Sequence, residues 1–228
     1  MGDDVNHIRN VLRYKIGDDI EICDESQKRY FSKIESMTNE EILLQILDTS
    51  LDSTESNMRI TLYQGLPKAD KMDFIVQKCT ELGVSEFVPV LTDRVIVKID
   101  DQNGTKKVDR WSKIAAEAAK QSGRQVVPHV ENIRKLENII ENLSKYDIVI
   151  VPYECEKDCT LKYALKNQSV NIQNIAVVIG PEGGFSEKDI ELLQRAENCT
   201  KVSLGKRILR TETAGIATAS MILYEYEL

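Results

Sequence analysis

The sequence predicts an α/β protein in which a largely parallel sheet follows a small β-barrel domain. Three observations predict it. Beyond about residue 70, helical apolar spacing alternates with short apolar strands; the first 65 residues or so hold only β-compatible runs parted by polar turns; and two strand–loop–helix tracts follow one another near the end. Strands alternating with helices call for a parallel sheet covered on both faces.

The elements follow in order. Asp19 to Cys23, Arg29 to Ile34, Glu41 to Leu47 and Met58 to Tyr63 read as strands, separated by turns such as Asp24-Glu25-Ser26-Gln27, a pattern suited to a small barrel. Gly65-Leu66-Pro67 reads as a short linker, which divides the chain into residues 1–66 and 67–228. From Lys71, apolar residues at Met72, Ile75, Val76, Cys79 and Leu82 predict a helix closed by Gly83. A strand from Phe87 to Leu91, helical segments from Lys107 to Ser122 and Leu136 to Leu143, and strands from Asp147 to Val151 and Ile175 to Ile179 come next.

The last of these strands runs into Gly180-Pro181-Glu182-Gly183-Gly184-Phe185-Ser186. Glycines there let backbone amides and carbonyls approach a ligand at the carboxyl end of a strand, where open α/β sheets bind small molecules. Ser186 and Asp189 predict an N-cap and capping box for a helix from Glu187 to Glu197. The spacing matches no nucleotide-binding loop, since G-x-G-x-x-G and a Gly-Lys-Ser/Thr are both missing. Turn chemistry alone also explains such glycines. A second tract, Leu204 to Gly215, follows the strand Lys201 to Ser203 and enters a helix rich in small residues, for which Thr211 is a candidate cap. Capping leaves Arg210 and Glu212 unexplained, and two successive strand–loop–helix units turn both loops toward one crevice.

Composition limits what that crevice serves. With 228 residues, 42% hydrophobic and 29% charged, the chain has ordinary globular usage and ample core. No apolar run reaches the roughly 18 residues of a membrane span. Met1-Gly2-Asp3-Asp4 does not resemble a signal peptide, and Asn6 breaks the myristoylation pattern, so a cytoplasmic location is expected. Five scattered cysteines, without the His or Cys partners a zinc site needs, read as reduced thiols with no metal. A net charge of -7 argues against indiscriminate nucleic-acid binding but allows a local basic face. Such residues gather as His7, Arg9, Arg13 and Lys15, and more loosely as Lys68, Lys71, Lys78, Arg94, Lys98, Lys120 and Arg124. Arginines among them suit bidentate phosphate contacts, while any single lysine is most simply a solvated surface charge.

His7-Ile8-Arg9-Asn10-Val11-Leu12-Arg13, the tract from Lys71 to Val84, Glu117 to Arg124, the Gly180 loop and Leu204 to Ala214 together resemble, in order, the RsmE family of 16S ribosomal RNA uridine N3 methyltransferases, members of the SPOUT superfamily. The resemblance implies a PUA-like barrel for RNA, an α/β domain with a C-terminal trefoil knot, a homodimer, and S-adenosylmethionine as methyl donor. It also implies a uridine in the decoding region of the small ribosomal subunit as target. Hydrophobic periodicity shows no knot, which chain-threading rules ordinarily exclude. The sequence departs from the family at Asp24-Glu25-Ser26, where relatives often carry Asp-Gly, and in the charged Lys206 and Arg207.

By that resemblance Pro152, Ile179, Gly180, Gly184, Leu204, Gly205, Ile208, Leu209, Thr213 and Ala214 contact the cofactor, and His7, Arg9, Arg13, Lys71, Arg94, Lys120 and Arg124 contact RNA. Uracil N3 carries a proton that must leave, so the site needs a base or a cation that stabilises the imidate. Arg9 and Arg210 are candidates for holding the base and its charge, Glu212 for accepting the proton. An acidic residue in a first helical turn is also favourable structurally, and His7 serves equally as base or as a hydrogen-bonding residue at a barrel strand start. If the dimer forms, Arg9 of one subunit is expected to serve the cofactor site of the other. Three other readings remain: a non-catalytic RNA-binding ribosome-assembly factor, a SPOUT methyltransferase with another RNA target, and a nucleotide-dependent enzyme, the last disfavoured by the loop spacing.

Overall fold

The computed structural model describes residues 2–24, 28–49, 53–95, 101–167 and 172–227. It divides into two compact units, Met1–Glu55 and Ser56–Leu228. In the first, a short helix α1 (Asp3–Asn6) continues as a π-helical turn, His7–Val11, and precedes an antiparallel sheet β1-β2-β3 formed by β1 (Asp19–Cys23), β2 (Arg29–Met37) and β3 (Ile42–Asp48). Ile20 and Ile34 are buried in it, and Ile34 N–H donates to Asp18 O at 2.9 Å. His7 therefore stands in a helical turn, not at a strand start. Glu25 and Ser26 of the first hairpin turn, and Lys98, lie outside the described residues.

The fourth run assigned to the barrel belongs elsewhere. Strand β4 (Arg59–Gly65) enters the second unit's sheet, pairing in parallel with β5 (Glu86–Leu91) and with β9 (Asn174–Ile179), so the division falls at 55/56 and not at 66/67. Ile60 and Leu62 alternate with polar residues, which reads as a half-buried strand. Thr61, Tyr63 and Gln64 are nevertheless buried too, as a central parallel strand requires. Their polar atoms find partners in Glu86 (3.2 Å), the Tyr146 hydroxyl (3.0 Å) and, for Gln64 Nε2, Gly65 O (2.9 Å).

The remaining elements are α2 (Lys71–Leu82), α3 (Asp101–Ser122), β6 (His129–Val130), β7 (Arg134–Lys135), a 3-10 turn (Leu136–Asn138), α4 (Ile140–Leu143), β8 (Ile148–Pro152), α5 (Leu161–Lys166), α6 (Glu187–Leu193), β10 (Cys199–Val202) and α7 (Thr211–Tyr226). All sheet pairings of this unit are parallel, in the order β10-β8-β9-β4-β5-β6, with β7 beside β5. Ile175, Val177 and Ile179 of β9 face a core shared with Met72, Ile75, Val76, Trp111, Ile222 and Leu223 of α2, α3 and α7. Ala176 and Val178 face a second core with Leu136, Leu143, Phe185, Ile190 and Leu193. Each fully buried aliphatic side chain contributes about 1.5–3 kcal/mol.

Helix α2 ends as its sequence predicts. Gly83 takes φ 112°, its N–H donates to Thr80 O, and Val84 N–H reaches Cys79 O at 2.9 Å, the paired bonds of a Schellman stop. Arg124 adds to this closure, donating to Thr80 O at 3.0 Å and Val84 O at 2.7 Å. A side chain read from sequence as a phosphate contact thus joins the end of α2 to the end of α3.

Candidate functional site

The carboxyl ends of β8, β9 and β10 release three loops that enclose a cavity of about 1010 Å³, the upper end of the ordinary range for small-molecule sites. The loop after β9 is folded tightly on itself and on its neighbours. A Cβ on Gly65, at the end of β4, would stand 2.7 Å from Pro181 N, and one on Gly184 would stand 2.6 Å from Glu154 Oε1. Gly184 also takes φ 66°, which side chains disfavour. Gly65 is accordingly a point of close backbone approach and not a linker residue.

The capping box is present: Asp189 N–H donates to Ser186 Oγ at 3.1 Å, and Ser186 N–H donates to Asp189 Oδ2 at 2.9 Å. The other oxygen of Asp189 accepts from Asp93 N–H at 3.1 Å, so the start of α6 is fixed to the segment after β5. The helix ends at Leu193, short of the predicted Glu197.

The second loop closes onto the first through Thr211. Arg210 occupies the N-cap position without a side-chain capping bond, and Thr211 is the first helical residue of α7. Its hydroxyl donates to Gly180 O at 2.6 Å and accepts from Gln64 Nε2 at 2.8 Å. A residue expected to cap its own helix instead ties the ends of β4 and β9 to the start of α7. Nothing local in the sequence signals this, because Gln64 lies far away along the chain.

Pro152, Ile179, Gly180, Gly184, Leu204, Gly205, Ile208, Leu209 and Ala214 all line the cavity, with Arg210 at its edge. Thr213 does not; it is exposed, two residues beyond Thr211 and hence on a different face of α7. Sequence reasoning missed Tyr153, Glu154, Glu156 and Lys157, which follow β8 and form the third wall. Ile208 is 87% exposed, an apolar side chain at the cavity rim with nothing over it.

Several basic residues assigned to RNA have partners within the site. Lys71 Nζ lies 3.0 Å from Glu182 Oε1 and 3.4 Å from Glu212 Oε2. Arg94 donates to Gly183 O at 2.8 Å. The hydrogen bond to Glu182 is the main cause that raises the Lys71 pKa above its usual value. Burial opposes ionisation of Glu182. The Lys71 ammonium, its own backbone N–H and the Lys68 N–H, at 3.0 Å, together outweigh it and hold the carboxyl below its usual range.

In the first unit, Arg9 sits in the π-helical turn and donates to Asn39 Oδ1 and, at 3.4 Å, to Thr38 O. Arg13 is exposed with φ 59°, and His7 is partly buried. Lys120, in the last turn of α3, is exposed. No group of three His, Cys, Asp or Glu among the described residues is arranged to hold a metal ion.

Residues 54–223 match the RNA methyltransferase domain family, and residues 2–47 match the RNA methyltransferase PUA domain family. The chain is 34% identical to Ribosomal RNA small subunit methyltransferase E of Bacillus subtilis (strain 168), over 100% of its own length and 90% of the relative's. It is 32% identical to the protein of that name from Aquifex aeolicus (strain VF5), covering 96% of this chain and 91% of the other. Its fold superposes with a TM-score of 0.84 and 30% identity on the crystal structure of Ribosomal RNA small subunit methyltransferase E from Neisseria gonorrhoeae bound to S-adenosyl methionine, over 99% of this chain and 91% of that one.

Proposed function

Because the chain belongs to the RNA methyltransferase family, whose domain it matches over residues 54–223, we propose that it transfers a methyl group from S-adenosylmethionine to N3 of a uridine in 16S ribosomal RNA. The observation that carries the reading is the cavity closed by three strand-end loops, because methyl transfer is chiefly a problem of positioning and backbone loops position rigidly.

The residues present suit the cofactor. Ile179, Leu204, Leu209 and Ala214 offer an apolar wall to an adenine ring, the glycine loop brings main-chain groups close, and Ile208 is an uncovered apolar side chain at the rim. When bound, S-adenosylmethionine supplies a methyl on a positively charged sulfur. The protein's own part concerns the acceptor. Glu212 takes the N3 proton, the nitrogen lone pair freed by its departure attacks the methyl, and Arg9 and Arg210 hold the base and the negative charge that develops on it. His7, Arg9, Arg13 and Lys120 are retained as RNA contacts. Lys71, Arg94 and Arg124 are assigned to holding the fold, since their side chains already meet internal acceptors.

The reading extends to a SPOUT-type trefoil knot in the second unit, a homodimer, a target in the decoding region of the assembled small subunit, and work in the cytoplasm. The strand order β10-β8-β9-β4, with the last strand outside an earlier pair, supplies crossing connections of the kind a knot requires. None of the described helices is long and apolar enough to cross a membrane.

The test is transfer of label from methyl-labelled S-adenosylmethionine to small subunits, free 16S RNA and large-subunit RNA, all from cells lacking the enzyme. Label in small subunits supports the proposal. Label only in another RNA points to a different target, and cofactor binding without transfer points to a non-catalytic ribosome-assembly factor.

A further inference from the structure

We propose that Lys71 is a positioning residue that holds Glu182 of the glycine loop and Glu212 of α7 against one ammonium, fixing the Glu212 carboxylate for its proton-accepting role. This rests on the assignment of Glu212 under the proposed function. Lys71 opens α2, Glu182 follows β9 and Glu212 lies in the first turn of α7, so a single side chain joins three elements distant in sequence.

The geometry sets this apart from a surface ion pair. The side chains of Lys71, Glu182 and Glu212 are only 28%, 26% and 18% exposed. Glu182 is held independently by the Lys68 N–H at 3.0 and 3.3 Å. Glu212 Oε2 is buried and accepts no hydrogen bond; what it has is the Lys71 charge at 3.4 Å, outside hydrogen-bond alignment. A buried carboxylate oxygen with a counter-charge but no donor is stabilised as an anion while keeping its lone pairs for an incoming proton. An ammonium engaged by two carboxylates is at the same time a poor phosphate contact, because binding RNA there would mean giving up both.

Removing the ammonium leaves two carboxylates facing each other in a partly buried space, so one of them must take up a proton more readily. The charged groups around Glu212 are Lys71 from α2, Glu182 from the glycine loop and Arg210 immediately before α7. The experiment compares the full-length wild type with Lys71→Met, Lys71→Arg and Glu212→Gln. It measures kcat, KM for small subunits, cofactor Kd by calorimetry, thermal midpoint, the pH dependence of kcat, and the carbon-13 NMR titration of the Glu212 carboxyl.

Lys71→Met is expected to lower kcat by roughly 30-fold or more, within the span of general-base effects, while cofactor Kd changes less than about threefold. Its acid limb and its Glu212 titration are expected to move to higher pH, and Lys71→Arg is expected to recover most of kcat. A kcat within about threefold of wild type would overturn the inference, as would a loss confined to KM with a shallower salt dependence, the mark of a phosphate contact. An unmoved NMR titration would do the same, and that readout needs no turnover. Failure of the wild type to methylate uridine would instead strike the proposed function and leave the titration to judge the clamp.

Discussion

Replacing Thr211 by valine removes one hydroxyl while keeping the β-branched shape that suits its place in α7. In the wild type that hydroxyl donates to Gly180 O at 2.6 Å and accepts from Gln64 Nε2 at 2.8 Å. After the change, Gly180 O loses this donor but stands partly open to the cavity, where water can serve it; Gln64 Nε2 keeps Gly65 O at 2.9 Å. The cost therefore lies toward the lower end of the range for an unmade buried hydrogen bond, about 1–2 kcal/mol. For a chain of this length that is a fall in thermal midpoint of roughly 2–8 °C. Because the same bond sets the wall of the cofactor cavity, the loop must be ordered at the expense of binding. Affinity for S-adenosylmethionine is then expected to weaken by about 5- to 30-fold, with Thr211→Ser close to wild type. Calorimetric titration and chemical denaturation read both quantities. A Thr211→Val protein that is destabilised as stated but binds cofactor within twofold of wild type would refute the idea that this tie shapes the cavity.

Gly65→Ala would place a Cβ 2.7 Å from Pro181 N, and because the obstacle is backbone we expect a loss of about 1–3 kcal/mol in denaturant unfolding, accompanied by weaker cofactor binding; an unchanged midpoint would contradict the close approach. Arg9→Ala is expected to reduce turnover at least tenfold with cofactor Kd nearly unaltered, and loss of cofactor binding in that variant would remove Arg9 from its acceptor-side role. The Glu182 carboxyl is held below its reference value of 4.5 in the folded state, so its contribution to stability is present above that value and is lost as pH falls through the lower folded one. Glu182→Gln should accordingly flatten the stability–pH curve between about pH 5 and 3, and an unchanged slope there would count against the Lys71 contact.

What was legible in the sequence was local. Ser186 and Asp189 predicted their capping box because side chains three residues apart settle it with backbone N–H groups, and Gly83 predicted the end of α2 for a similar reason. The loops after β9 and β10 announced a shared crevice, and nine of the ten cofactor candidates line it. What depends on long-range partners was misread or missed. Alternation in Ile60, Thr61, Leu62 and Tyr63 suggested a barrel strand, since sequence does not show that Thr61 and Tyr63 are buried against Glu86 and Tyr146. Lys71, Arg94 and Arg124 looked like surface cations until their acceptors on distant segments came into view. Strands β6 and β7 and helix α5 are too short to impose a period. The early start of α3 at Asp101 passes through polar residues and Gly104, which carry no apolar stripe.

The central claim is tested most directly by mass spectrometry of nucleosides from 16S RNA, taken from small subunits before and after incubation with the protein and S-adenosylmethionine. The account predicts that N3-methyluridine appears, in an amount approaching one per subunit. A methyl on another base, on uracil carbon or on ribose would contradict it, as would unmodified RNA from a preparation shown to bind the cofactor.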